Sequence, residues 1–148
     1  MKLEYNEIKS YFYGYWDSDE KTRNCRSIFN NIEMFVNPNE IRFFYPKNLF
    51  VKEKDLEIYI FLNDKIIKGG IVDNNIELNI YNLKNLIGLR CECINYYEEF
   101  YHKIVMNFIN EDVIILNSID DSKDTWRYKF EEQIKDIIKE LIKFNGNF

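Results

Sequence analysis

The stretch Trp126-Arg127-Tyr128-Lys129-Phe130-Glu131-Glu132-Gln133-Ile134-Lys135-Asp136-Ile137-Ile138-Lys139-Glu140-Leu141-Ile142-Lys143-Phe144 decides the fold. Trp126, Phe130, Ile134, Ile137, Ile138, Leu141 and Phe144 recur three or four residues apart and fall on one stripe, while Arg127, Lys129, Glu131, Lys135, Lys139 and Lys143 cover the rest. The spacing predicts one amphipathic helix over 123–144, capped by Asp121 or Ser122, with acidic Asp124 in its first turn and Gly146 as terminator. At ~1.5 Å per residue it forms a rod of about 33 Å, long enough to cross a small barrel.

Upstream of this helix, residues 40–117 read as short apolar runs punctuated by turns. Ile41 to Tyr45 is halted by Pro46; Glu57 to Leu62 and Lys65 to Val72 form a hairpin about Asn63-Asp64; Asp73-Asn74-Asn75 turns into the alternating strand Ile76 to Ile80. Ile87 to Ile94 places Ile87, Leu89, Cys91 and Cys93 on one side and Gly88, Arg90 and Glu92 on the other. A polar loop from Asn95 to Tyr101, the strand His102 to Ile109 and the strand Val113 to Leu116 complete seven strands. Before them, a short helix ends near Gly14, and Cys25, Ile28, Phe29, Ile32, Phe35 and Val36 trace a second over 21–36, capped by Asp19 or Thr22 and stopped at Asn37-Pro38. The expected class is α+β: a seven-stranded antiparallel barrel or sandwich capped by a C-terminal amphipathic helix, with an N-terminal helical segment over 1–36 and the sheet-and-helix unit over 37–148.

Seven strands closed by one helix is the element order of the pleckstrin-homology-like superfold. The segment Leu56-Glu57-Ile58-Tyr59-Ile60-Phe61-Leu62-Asn63-Asp64-Lys65-Ile66-Ile67 resembles the place in bacterial PH-like and GRAM-type domains where a strand ends in a polar turn followed by a basic residue and aliphatics. Ile76 to Leu89 is similar to the next strand of those domains and the residues leading into the one after it. The resemblance covers residues 40–144 and implies a scaffold that binds lipids, peptides or other domains. It also implies a basic loop between the first two strands in phosphoinositide binders, and here that loop holds Lys47, Lys52 and Lys54 diluted by Glu53 and Asp55. The helical segment before Asn37 has no counterpart in a minimal PH-like domain.

Composition narrows the function. A net charge of −5 and a pI near 5.0 give no global attraction to nucleic acid or anionic lipid, and suit a basic or neutral partner. The 46% hydrophobic and 17% aromatic content is that of a folded chain. The skew toward Asn, Ile, Lys and Tyr, with no Ala, resembles the codon bias of an AT-rich bacterial genome. MKLEYNEIKS lacks an apolar signal core, no run reaches the ~20 apolar residues of a membrane span, and the odd, sparse Cys25, Cys91 and Cys93 fit a reducing compartment, so a cytoplasmic location is expected.

The candidate chemistry is sparse. Cys91, Cys93 and His102 are the only group of metal-ligand types, and the competing reading, taken here, makes the two cysteines small core residues. His102 is the sole histidine, and no serine or cysteine sits in a nucleophile motif. Glu98-Glu99 and Asp120-Asp121 read as solvated loop acids, and Gly69-Gly70 as a bulge or a close backbone approach. Tyr11, Tyr13, Tyr15 and Trp16 read either as partner-binding rings or as rings packing the first helix onto the sheet, the second being favoured. The expectation is a non-enzymatic interaction module for a protein partner, without cofactor or nucleic acid. Two alternatives stand beside it: a small acidic immunity or inhibitor-type protein facing a basic toxin, and a lipid-headgroup module using Lys47, Lys52, Lys54 and Lys65.

Overall fold

The structure, a computed structural model, describes residues 3–14 and 19–144. Its elements in chain order are α1 (Tyr5–Tyr13), α2 (Glu20–Glu33), β1 (Phe43–Lys47), β2 (Glu57–Phe61), β3 (Lys65–Val72), β4 (Asn75–Asn82), β5 (Leu86–Tyr96), β6 (Glu99–Phe108), β7 (Val113–Asn117) and α3 (Arg127–Lys143). The architecture is α+β. Two antiparallel meanders, β1-β2-β3-β4 and β5-β6-β7, lie in separate sheets, and no closed barrel forms.

Each element follows from local chemistry. Asp19 caps α2 by accepting from the Thr22 N–H at 2.8 Å, as its sequence position suggests. β1 runs through Pro46 instead of stopping there, because β1 is the end strand of its sheet, where a proline is tolerated. Asp73 and Asn74, at φ 49° and 66°, make the tight hairpin turn that their residue types favour. Tyr97 and Glu98 make another, at φ 51° and 67°, so the segment expected as a polar loop is two long strands joined by two residues. α3 begins later than expected: a single 3-10 turn over Asp124–Trp126 precedes it, and no side chain caps it, since Asp121 and Ser122 are drawn into the core. Gly146 lies outside the described residues.

The four-stranded sheet is covered on both faces. Phe44, Ile58, Ile60 and Ile67 share the face that meets the N-terminal helices, where Tyr5 and Phe29 bring their rings to 5.5 and 6.3 Å from Phe44. Gly69 lets α2 approach: a Cβ there would lie 3.0 Å from Ile28 Cγ2 and 3.2 Å from Ile32 Cδ1. The opposite face carries Tyr45, Tyr59, Phe61 and Ile66 toward α3, with Tyr45 edge-on to Phe130 at 5.2 Å. One hydrophobic cluster runs from Leu3 through both sheets to Leu141, so α1 and α2 belong to the same core as the strands.

Candidate functional site

Two buried carboxylates tie the strands to α3. Asp121, 2% exposed, accepts from the Tyr45 hydroxyl at 2.8 Å and from the Asn117 N–H at 2.7 Å, with Lys47 Nζ at 3.5 Å from its other oxygen. Burial pushes its pKa upward, against the pull of Lys47 and of its hydrogen-bond donors. Burial, then Asp121 itself, holds the Tyr45 hydroxyl well above the usual phenol range. Glu131, 5% exposed, accepts from the His102 N–H at 2.6 Å and from Ser118 Oγ at 3.1 Å, and its Oε2 lies 2.6 Å from His102 Nδ1. Both acids were expected on solvated surface. They are buried because strand and turn donors surround them, as buried polar groups require.

This geometry fastens α3 and the turn after β7 to the strands. Ser118 is fully buried and directs its hydroxyl at Glu131, so histidine and serine both point to one carboxylate instead of the imidazole bridging acid and alcohol. Glu131 fixes α3 to β6, and Asp121 fixes β1 to the turn after β7.

The residues singled out in the sequence are dispersed. Tyr11 packs its ring 4.8 Å from Phe50, and the Tyr13 hydroxyl bonds the Asn30 side chain, so both help hold α1 in place; Tyr15 and Trp16 lie outside the described residues. Lys47 donates to the Ile115 carbonyl at 2.8 Å and Lys54 to the Asp120 carbonyl at 3.0 Å, which fastens the end of β1 to β7 and the β1–β2 loop to the turn after β7. Lys52 is exposed on that loop, and Lys65 pairs with Asp64 at 2.8 Å. Beside Lys52 is a cleft of ≈ 230 Å³ between α1, α2 and the loop, with Tyr11, Phe12, Cys25 and Phe50 in its walls.

Cys91 and Cys93 correct the core reading: both are exposed. Their type suits a core, but β5 is the outermost strand of its sheet, and α3 lies mainly against β6 and β1. His102 is the cross-strand partner of Cys93, yet its Nδ1 is engaged by Glu131, and among the described residues no three or more His, Cys, Asp or Glu side chains gather as metal ligands.

What the cysteines mark instead is an open edge. The outer edges of β1 and β7 face each other, joined by the Lys47 bond to Ile115 and a bridge between Leu49 and Ser122. β5, the longest strand at 11 residues, has a partner on one side only, and among the described residues no backbone hydrogen bond reaches Gly88 to Tyr96 from outside its ladder with β6. Ile87 is exposed near its start, and the hairpin tip presents Tyr97, 86% exposed, and Phe100, 62% exposed. Arg127 stacks over Tyr96 at 4.6 Å and so braces that tip. Reading 95–101 as a loop hid Tyr97 and Phe100; the run of rings at 96, 97, 100 and 101 was the signal that could have found them.

A family model described as a protein of unknown function, DUF3908, matches residues 4–132. The chain belongs to the DUF3908 family. The DUF3908 match takes in α1, α2, both sheets and the start of α3, so the N-terminal helices and the Asp121 and Glu131 ties all lie within it. No curated protein and no solved structure matches the chain.

Proposed function

We propose that this DUF3908 chain is a PH-like scaffold serving as a non-enzymatic interaction module, which recognises a protein partner by adding an extended segment to the open edge of β5. The observation that carries the reading is that edge: a long strand with unpaired backbone groups, flanked by exposed Ile87, Cys91, Cys93 and an aromatic tip. Strand addition draws affinity from main-chain hydrogen bonds and specificity from alternate side chains. The division into meanders of four and three strands with a C-terminal helix supports the scaffold part of the reading. The lipid alternative has less support, because Lys47 and Lys54 bind acceptors of the chain itself. The charge of −5 favours a basic partner, as the inhibitor alternative requires.

Site-directed photocrosslinking tests the proposal. A benzoylphenylalanine at position 93 is expected to trap a partner in host cells, whereas the same probe at position 79 on β4 or position 52 on the β1–β2 loop is not. Crosslinks confined to position 52, or none anywhere, would overturn it.

A further inference from the structure

We infer, building on the reading of β5 as a docking edge, that its occupant is a second copy of this chain, paired antiparallel through β5 about a two-fold axis at Cys91. The edge is self-complementary there. In the run Leu89-Arg90-Cys91-Glu92-Cys93, an axis at Cys91 sets Arg90 opposite Glu92 of the second copy and Glu92 opposite its Arg90, with Leu89 opposite Cys93 and Cys91 opposite Cys91. Opposite charges directly across an antiparallel pair stabilise it and like charges oppose it.

Neighbouring registers lack this match. An axis at Glu92 sets two carboxylates face to face, an axis at Arg90 does the same with two guanidinium groups, and an axis at Cys93 sets Glu92 opposite Ile94. An isologous contact requires one patch to complement itself, and on β5 the charges do so only about Cys91. β4, the other open edge, carries Glu77 and no basic residue, so two-fold pairing there leaves that acid unmatched.

The side chains are already on the correct face. Arg90 and Glu92 share one side of β5 with Nε and Oε1 3.3 Å apart, and Lys103 Nζ lies 3.5 Å from the other Glu92 oxygen. Arg90 and Glu92 are 63% and 40% exposed, so each has room to swing to a strand alongside. The bulge between Leu86 and Gly88 falls before the pairing segment and leaves the rest of the ladder regular. The two copies form one six-stranded sheet, which covers the open edge as natural edges require.

Sedimentation at ~0.15 M salt, where repulsion between two acidic chains is screened beyond ~8 Å, tests this directly. The expected species has twice the 18.1 kDa chain mass. Residues directly opposite sit about 4.5–5.5 Å apart at Cα, within the reach of a disulfide. Diamide, which takes the two thiol hydrogens and is reduced to its hydrazine, is therefore expected to join Cys91 to Cys91. Cys91→Ser abolishes the crosslinked band and Cys93→Ser keeps it. Arg90→Glu is expected to weaken the dimer at least ~10-fold, and the swap Arg90→Glu with Glu92→Arg to restore it. A monomer at every concentration, a crosslink through Cys93 or Cys25, or a swap that fails to restore pairing would overturn the inference. Should the chain be monomeric while the probe at position 93 traps a different protein, the homodimer fails and the edge reading stands; should the probe also trap nothing, both fail.

Discussion

Tyr45 of β1 donates its phenolic hydrogen to Asp121 in the turn before α3 at 2.8 Å, across 76 residues of sequence. This bond closes the seam between the two sheets, and the charge state of Asp121 is written into the stability of the fold. Its folded pKa lies above the usual 3.8, burial being the largest cause. A carboxylate that binds its proton more tightly when folded loses stabilising contribution as pH rises through the interval above 3.8. Asp121→Asn removes that slope. Urea unfolding of both proteins across a pH series is expected to show the difference moving in the variant's favour as pH rises; movement the other way would refute the account.

Gly69 sits where a methyl group has no room, with Ile28 Cγ2 3.0 Å and Leu78 Cδ2 3.2 Å from the position of a Cβ. Gly69→Ala is expected to cost about 1–3 kcal/mol by overpacking. In a double-mutant cycle with Ile28→Ala the two losses should fall short of additive, because the second change makes space for the first. Strict additivity would mean that α2 does not press on β3.

Phe130 is fully buried against Tyr45, while Tyr128, two residues away, is 69% exposed. Phe130→Ala should destabilise by about 3–5 kcal/mol and Tyr128→Ala by less than about 0.5 kcal/mol in chemical denaturation. Comparable losses would contradict the placement of α3.

Glu131 satisfies the His102 main chain and side chain together with Ser118. Removing the acceptor leaves several donors buried, so Glu131→Ala should cost more than His102→Ala, which keeps the backbone donor and Ser118 paired. About 2 kcal/mol should separate them by thermal or urea unfolding. An equal or reversed order would show that Glu131 is not the hub.

How far the sequence could be read depends on how local each signal is. The stripe from Phe130 to Leu141 and the Asp19 cap are written within one helix, and Asp73-Asn74 favours a left-handed turn by residue type. Tyr97 and Glu98 have no such preference; the ladders of β5 and β6 impose their φ values. Asp121 and Glu131 looked like surface acids because the groups that bury them, Tyr45 and His102, arrive from distant strands. Cys91 and Cys93 looked like core residues because nothing in β5 announces that it is the last strand of its sheet.

The seam formed by Tyr45 with Asp121 and Leu49 with Ser122 also dictates an order of assembly. β2 to β4 and β5 to β7 are joined by connections of four residues or fewer, so these hairpins form by local encounters. Closing the seam from Tyr45 to Asp121 spans 76 residues, an entropic toll that delays that step. During synthesis the four-stranded sheet must therefore wait, with the Tyr45 side of its core open to water, until residues beyond Ser122 have left the ribosome.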